Sequence, residues 1–415
     1  MINVHDDKLI PEELVADILS ISKATLKQWV KLGKLNTLFD VKNNKNLFNI
    51  DEIYQINIDK HQSNSSWEDD EKIKPLRDYK LVELFAGAGG LALGLENAGL
   101  KSIYLNEKDK DACATLKLNR PEWNVVCGDI ANEDFRAFRG IVDIVSGGFP
   151  CQAFSYAGNK LGFEDTRGTL FFEFARSIKE INPKVFVAEN VRGLLNHDNG
   201  KTLAAIKSVI DELGYELIEP RVLKAIFYKV PQKRERLILV AIRKDISSKV
   251  EFHWPAINRN IYTLKDALKE GRLYPNDVPE SPGQSYPELK KKVMDLVPEG
   301  GYWKDLPENI QKSYMKKSYF LGGGKTGMAR RLAWDQPSLT LTCAPAQNQT
   351  ERCHPEETRP LKTREYARIQ TFPDDWIFSG SVSSIYKQIG NAVPVNLSTA
   401  IGRSLVRLLN DIENL

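Results

Sequence analysis

"YKLVELFAGAGGLALGLENAG", residues 79–99, is the stretch on which the fold turns. Its apolar part, "KLVELFA", reads as a buried strand that enters "GAGG" and then a helix with Leu91, Leu95 and Ala98 facing inward. Glycine has no Cβ and tolerates positive φ, so backbone in this turn can pass close to a ligand. The turn lacks the full GxGxxG spacing of a dinucleotide site, and by itself it identifies no ligand.

Strand and helix then alternate, as in a parallel α/β sheet. "SIYLNE" ends in Glu107, the position from which a carboxylate holds ribose hydroxyls in a Rossmann-like fold, and "NVVCGDI" ends in Asp129. A glycine turn, a Glu and an Asp on successive strand ends suit a nucleoside cofactor with no pyrophosphate to cradle. That points to S-adenosylmethionine rather than NAD. The next apolar run, "GIVDIVSGG", leads into "FPCQAFSYAG", where Cys151 follows a proline in a glycine-lined turn. Such a thiol at a strand end is either a nucleophile or a core residue.

The composition is that of an ordinary globular chain of two or three domains: 415 residues, 42% hydrophobic, 27% charged. The net charge of +3 is too small to imply a nucleic-acid partner. "MINVHDDKLI" has no signal-peptide pattern and no apolar run nears the roughly 18 residues of a membrane span, so the expected location is the cytoplasm, without membrane contact. The five cysteines (Cys113, Cys127, Cys151, Cys343 and Cys353) form no CxxC pair, which argues against both a disulfide framework and a metal site.

Residues 62–75, "QSNSSWEDDEKIKP", read as a linker, placed at 61–78. Before it, in "LIPEELVADILSISKATLKQWVKLGKL", Leu14, Ile18 and Leu19 form one apolar helical face and Leu26, Trp29 and Val30 a second, with Ser22 as N-cap between them. "LFDVKNNKNLFNIDEI" adds two apolar stretches around an Asn/Lys turn, a small β wing. Residues 1–60 therefore resemble a winged helix-turn-helix, in which Lys23, Lys27 and Lys31 line one side of the second helix and would meet DNA, including operator DNA.

"FAGAGG", "GGFPCQAFS", "AENVRGLL", "PQKRER", "RPLKTREYARIQTFP" and "YKQIGNAVP" occur in the order and at about the distances found in DNA (cytosine-5)-methyltransferases. Over residues 80–415 the chain resembles that family, most of all the bacterial enzymes of type II restriction-modification systems. The resemblance implies an α/β fold: a Rossmann-like S-adenosylmethionine-dependent methyltransferase domain formed by 79–250 and 359–415, and a smaller irregular target-recognition domain at 251–358. The α-rich helix-turn-helix domain would precede both. The implied activity is methyl transfer to carbon 5 of cytosine in duplex DNA, by a monomer, with protection of host DNA from a cognate restriction enzyme.

The implied roles agree with the chemistry. Carbon 5 of cytosine is a poor nucleophile until a thiolate adds at carbon 6, and Cys151 takes that role. Glu189 matches the carboxyl group that bonds the ring nitrogen and amine of the base, Arg236 the group on its carbonyl oxygen, with Arg234 alongside. Phe85, Gly87 and Gly90, with Ala86, would line the methionine side, Glu107 the ribose, and Asp129 with Ile130 the adenine. Pro150, Leu170 and Asn391 would lie near the methyl donor. Lys108 stands where many family members carry an aromatic or apolar residue against the adenine.

The base must flip out of the duplex to be reached. The resemblance assigns residues 152–168 to the loop that closes over the DNA, with Gln152, Ser155 and Arg167 as contacts. In "KKSYFLGGGKTGMARRLAWDQPSLTLT" basic and aromatic residues interleave with a glycine turn, and Tyr319, Lys325, Arg330 and Arg331 are the expected DNA contacts. Thr340 resembles the threonine that positions the recognition loops. Two alternatives are a tRNA cytosine-5 methyltransferase and a DNA-binding regulator with a vestigial enzyme domain.

Overall fold

The computed structural model describes residues 8–40, 45–57, 65–150, 169–323 and 325–415. A small N-terminal unit contains β1 (Leu9–Pro11), α1 (Glu12–Leu19), α2 (Lys23–Lys31), β2 (Leu38–Asp40), β3 (Lys45–Asn49) and α3 (Ile50–Asn57). β3 pairs antiparallel with both β1 and β2. Ser20 ends α1 in the left-handed region and Ser22 caps α2, its hydroxyl accepting from the Thr25 N–H at 3.0 Å. The two helices thus turn on each other within three residues.

The expected linker is not one in the part that is described. α4 (Trp67–Asp70) and its flanks, residues 65–78, form a strap docked on the rest of the chain. Buried Asp70 accepts from Arg407 at 2.6 Å and from the Ala256 N–H at 2.8 Å, while Trp67 packs on Tyr228 with Lys229 and Arg403 over its ring. Asn410 accepts from the Leu76 N–H and donates to the Lys74 carbonyl. The polar composition that reads as a linker holds the strap to partners remote in sequence.

The unit before the strap is docked as well. Lys224 donates to the carbonyls of Asp17 and Ile18 at 2.6 and 2.7 Å and to Ser20 Oγ at 2.6 Å, satisfying the open carbonyl end of α1. Lys233 pairs with Asp17 at 2.7 Å, and the Tyr54 ring meets Phe227 edge-on.

The main sheet is built from β4 (Lys80–Leu84), α5 (Gly90–Asn97), β5 (Lys101–Glu107), α6 (Lys110–Asn119), β6 (Val125–Cys127), β7 (Ile144–Gly147), α7 (Leu170–Ile181), β8 (Val185–Val191), α8 (Lys201–Glu212), β9 (Tyr215–Leu217), β10 (Arg221–Lys224) and β12 (Glu235–Arg243). The short β11 (Gln232–Lys233) lies outside it. Strand order is β10-β12-β8-β7-β4-β5-β6, with β9 also on β12. The strands from β4 to β8 run parallel, and β12 pairs antiparallel with β8, β9 and β10. Alternate residues of β4 enter different cores: Leu81 packs in the layer of α5 and the C-terminal helix, Val82 and Leu84 in the α7 and α8 layer. Burial on both faces explains why these strands read as continuous apolar runs.

After β12, α9 (Lys244–Ser247), α10 (Leu264–Leu268), α11 (Glu288–Met294), α12 (Glu308–Met315) and β13 (Ser338–Leu339) punctuate a largely irregular region. It has a small core of its own around Met294, Trp303, Met315 and Cys353. The chain then returns to the sheet through α13 (Thr363–Ile369), α14 (Val382–Asn391) and α15 (Val395–Glu413). α15 lies so close to α5 that a Cβ on Gly94 would stand 2.2 Å from the Ser398 Cβ, and one on Gly402 2.6 Å from that of Ala98. Among the described residues no helix is long and apolar enough to cross a membrane.

A linker at 61–78 implies that residues 1–75 can be removed without harm to the rest of the chain; the docked strap reverses that expectation. Losing buried Trp67 alone costs about 3–5 kcal/mol, and Arg407 loses its carboxylate. The truncated chain should melt well below the full chain or aggregate, whereas a cut that keeps 65–78 should be milder. Thermal melts and size-exclusion profiles of both truncations check this, and equal melting temperatures for the full chain and the shorter fragment would refute it.

Candidate active site

A cavity of about 470 Å³ opens at the carboxyl ends of β4, β5, β6 and β7, where open α/β sheets place ligands. Phe85, Ala86, Gly87, Gly90, Glu107, Asp129, Ile130, Pro150, Leu170 and Asn391 all line it, so one site gathers residues from both ends of the chain. The turn after β4 is tight: Phe85, Gly87 and Gly89 take φ of 57°, 54° and 86°. For Phe85 that is an uncommon, strained conformation, held by what surrounds it. Gly90 admits no side chain, since a Cβ there would lie 2.3 Å from the Val393 carbonyl oxygen.

Glu107 locks this turn. Its Oε2 accepts from the Gly87 N–H at 2.7 Å, and its Oε1 from the N–H groups of Lys108 and Asp109 at 2.8 and 2.7 Å. Asp129 pairs with Lys108 Nζ at 2.7 Å, and that ammonium holds its carboxyl below the usual range. In place of an aromatic face, this edge of the cavity carries an exposed ion pair.

On the opposite side, antiparallel pairing of β12 with β8 brings the Arg236 side chain against Glu189, and the two form a buried ion pair. Burial pushes the Glu189 carboxyl up while Arg236 and Arg234 pull it down; the net direction is up. Gly148 faces this carboxylate, since a Cβ there would come within 3.0 Å of Glu189 Oε2. Asn190 donates to the Phe149 carbonyl at 2.8 Å, which ties the end of β8 to the turn leading to Pro150. Sequence reasoning missed Asn190, because an asparagine beside a glutamate carries no signal until β7 and β8 are adjacent.

Arg234, expected beside Arg236 at the base, does not line the cavity. It is buried and donates to the carbonyls of Leu341 and Gly390 at 3.2 and 2.9 Å, joining the recognition region to the end of α14 that bears Asn391. Arg234 lies between β11 and β12, whereas Arg236 is the second residue of β12. Cys151, Gln152, Ser155 and Arg167 lie outside the described residues.

Other expected DNA contacts fare unevenly. Arg331 is a correction: it is buried, and its guanidinium donates to the carbonyls of Met294, Val297 and His354 and to Thr358 Oγ1, so it organises the region and offers nothing to DNA. Lys325 is turned inward too, donating to the carbonyls of Ser318 and Leu321. Arg330 lies half-buried over the Tyr302 ring, and Tyr319 rests half-buried on Trp303. Thr340 donates to the Lys233 carbonyl at 2.6 Å. On α2, Lys23, Lys27 and Lys31 are exposed, with Lys23 paired to Glu13 at 2.5 Å and Lys27 4.0 Å from Glu12.

Residues 79–407 match the family model described as C-5 cytosine-specific DNA methylase. The chain belongs to the C-5 cytosine-specific DNA methylase family. It is 64% identical over 399 residues to the type II methyltransferase M.Eco47II of Escherichia coli, covering 96% of this chain and 95% of that protein. To M.PspPI, the type II methyltransferase of Psychrobacter sp. (strain TA137), it is 60% identical over 397 residues, with 96% and 95% covered. The S. pombe Dnmt2 methyltransferase shares the fold at 17% identity, with a TM-score of 0.53 over 80% of this chain and 99% of that one.

Cytosine-5 DNA methylases are enzymes that act on double-stranded DNA and take their methyl group from S-adenosylmethionine. The cavity fits that donor. Its carboxylates, Glu107 and Asp129, can accept from hydroxyls and an amine, its walls at Phe85, Ile130, Pro150 and Leu170 are apolar, and the glycine turn leaves the backbone bare. Among the described residues no group of three or more His, Cys, Asp or Glu could hold a metal.

A second residue of this methylase site, besides Asn190, escaped the sequence reading. Glu83, on β4, is fully buried at the cavity, where its carboxylate oxygens accept from Ala92 N–H at 3.1 Å and Ser146 Oγ at 2.9 Å. Within an apolar strand it reads only as an exception to the pattern. Burial pushes its carboxyl up from 4.5 to about 8. A raised carboxyl pKa favours the neutral form in the folded state, so stability falls as pH rises from about 4.5 through about 8. Glu83→Gln should flatten that fall: relative to the parent it should gain melting temperature at pH 8.5 and gain least at pH 5. Paired melts across that range test it, and parallel curves would show that Glu83 does not titrate there.

Proposed function

We propose that this chain methylates carbon 5 of cytosine within one short sequence of duplex DNA, as the modification partner of a restriction enzyme. The observation that carries the reading is the buried Glu189–Arg236 pair at the wall of a cavity whose opposite end carries Glu107 and Asp129. The type II methyltransferases at 60–64% identity support a DNA substrate over tRNA and support the pairing with restriction. A formed cavity lined by the expected cofactor residues weighs against a vestigial enzyme domain. The acting unit in this reading is a monomer, working where the chromosome lies, in the cytoplasm.

When bound, S-adenosylmethionine supplies an electrophilic methyl group. Gly87, Gly90 and Phe85 would hold its amino-acid end, Glu107 the ribose, and Asp129 with Ile130 the adenine. The chain's own residues prepare the base. Cys151, as thiolate, adds to carbon 6 and turns the ring into an enamine whose carbon 5 is nucleophilic. Glu189, its carboxyl pushed up by burial, gives a proton to the ring nitrogen as charge develops there, and Arg236 holds the carbonyl oxygen. Once carbon 5 carries the methyl group, a general base takes the proton from carbon 5, the 5,6 double bond re-forms as the thiolate leaves carbon 6, and the ring nitrogen returns its proton to Glu189. Gln152, Ser155 and Arg167 would contact the opened duplex.

Methylation-sensitive sequencing of plasmid DNA from cells expressing the protein should return 5-methylcytosine at a single motif. Cys151→Ala should lose it, by on the order of a thousandfold or more. Soluble protein that binds cofactor yet leaves the plasmid unmethylated would sink the proposal.

A second reading concerns the N-terminal unit. Two helices joined by a Ser20–Ser22 turn, with β2 and β3 beside them, support a winged helix-turn-helix, and the exposed outer side of α2 carries Lys27 and Lys31. We assign it a role on operator DNA upstream of its own gene. Gel shifts of the full chain should show a preferred upstream site that weakens in Lys27→Ala/Lys31→Ala, and equal binding to any fragment would end the idea.

A further inference from the structure

From Asn309 to Trp334 the recognition region carries no carboxylate, while Lys312, Lys316, Lys317, Lys325, Arg330 and Arg331 are all basic. Within this stretch a single 3-10 turn, Lys316–Phe320, presents Phe320 at 80% and Leu321 at 65% exposure. Leaving such side chains in water forgoes about 1.5–3 kcal/mol each. The chain nonetheless builds a support for them. Lys325 donates its ammonium to the carbonyls of Ser318 and Leu321, the Tyr319 ring is wedged between Trp303 and Phe320 at 6.0 and 5.2 Å, and Met315 below is buried. Lys316 and Lys317 stand exposed beside the tip.

An apolar tip supported from below, in a stretch with no carboxylate and with Lys316 and Lys317 exposed beside it, fits a polyanion that also offers an apolar surface, and stacked bases behind phosphates are such a surface. We propose that Phe320 and Leu321 are a wedge that packs against the base stack of the substrate duplex, with Lys316 and Lys317 on the neighbouring phosphates. The inference rests on the DNA-methylating reading above. Apolar insertion releases no counterions, whereas lysine contacts do. The two parts of the contact are therefore separable by salt.

The test is fluorescence anisotropy of the full chain, with S-adenosylhomocysteine present, on a 30-base-pair duplex carrying the motif found by sequencing and on a scrambled duplex. Phe320→Ala/Leu321→Ala should weaken binding to the motif duplex about tenfold or more with the slope against log salt unchanged. Lys316→Ala/Lys317→Ala should instead flatten that slope by about one to two, and Phe320→Trp should bind like the parent. Affinity for S-adenosylhomocysteine, measured by calorimetry, should be the same in all, which establishes that each variant is folded. If the doubly truncated tip binds within about twofold of the parent, or changes only the salt slope, the wedge is wrong and the exposed pair serves another partner. If the parent itself neither binds nor methylates the duplex, the enzyme reading fails, and the wedge with it.

Discussion

The antiparallel pairing of β12 with β8 is the constraint on which the site depends. It sets Arg236 opposite Val191 in register, with Glu189 near enough that carboxylate and guanidinium meet out of water. A buried pair of this kind is poor at stabilising a fold, because removing two charges from water costs about as much as their attraction returns. Here burial pushes the Glu189 carboxyl up against the pull of the cation beside it, which suits a group that meets a base gaining and losing protons.

The other end of the cavity is organised by a single carboxylate. Glu107 accepts from Gly87, Lys108 and Asp109, so the turn after β4 and the end of β5 are fixed to each other before any ligand arrives. The C-terminal return completes this end. Gly94 and Gly402 allow α5 and α15 to touch at backbone distance, and that contact brings Asn391 and Val393 to the cavity wall. Buried glutamines bind the same layers: Gln232 reaches Gln370, which donates to the carbonyls of Ile389 and Ala392.

The N-terminal unit belongs mechanically to this assembly. Asp17 pairs with Lys233, whose carbonyl accepts from Thr340, and Lys224 caps α1 from the strand that neighbours β12. A load on α1 is therefore felt at the root of the recognition region and at the strand edge carrying Arg236. Any DNA held by α2 would be held by a body joined to the catalytic sheet, since residues 65–78 clamp the same interface through Trp67 and Asp70.

The alternation of apolar strands and helices, the glycine turn, the strand-end acids Glu107 and Asp129, and the motif order were legible in the sequence, because each depends on neighbours a few residues away. Every residue expected at the cofactor lines one cavity, although Asn391 reaches it only through the return of the C-terminal segment. Legibility stopped where a side chain's fate depends on remote chain. Arg331 and Arg330 are adjacent and identical in kind, yet one is buried among carbonyls and the other lies across a tyrosine ring. Glu83 and Asn190 gained their places only when β4, β7 and β8 came together, and the polar strap became a clamp only because Arg407 and Asn410 on α15 lie beside it. Sequence by itself determined which local elements form and which chemical groups are available. Tertiary structure decided which of those groups are desolvated, since burial depends on distant packing that no local spacing encodes.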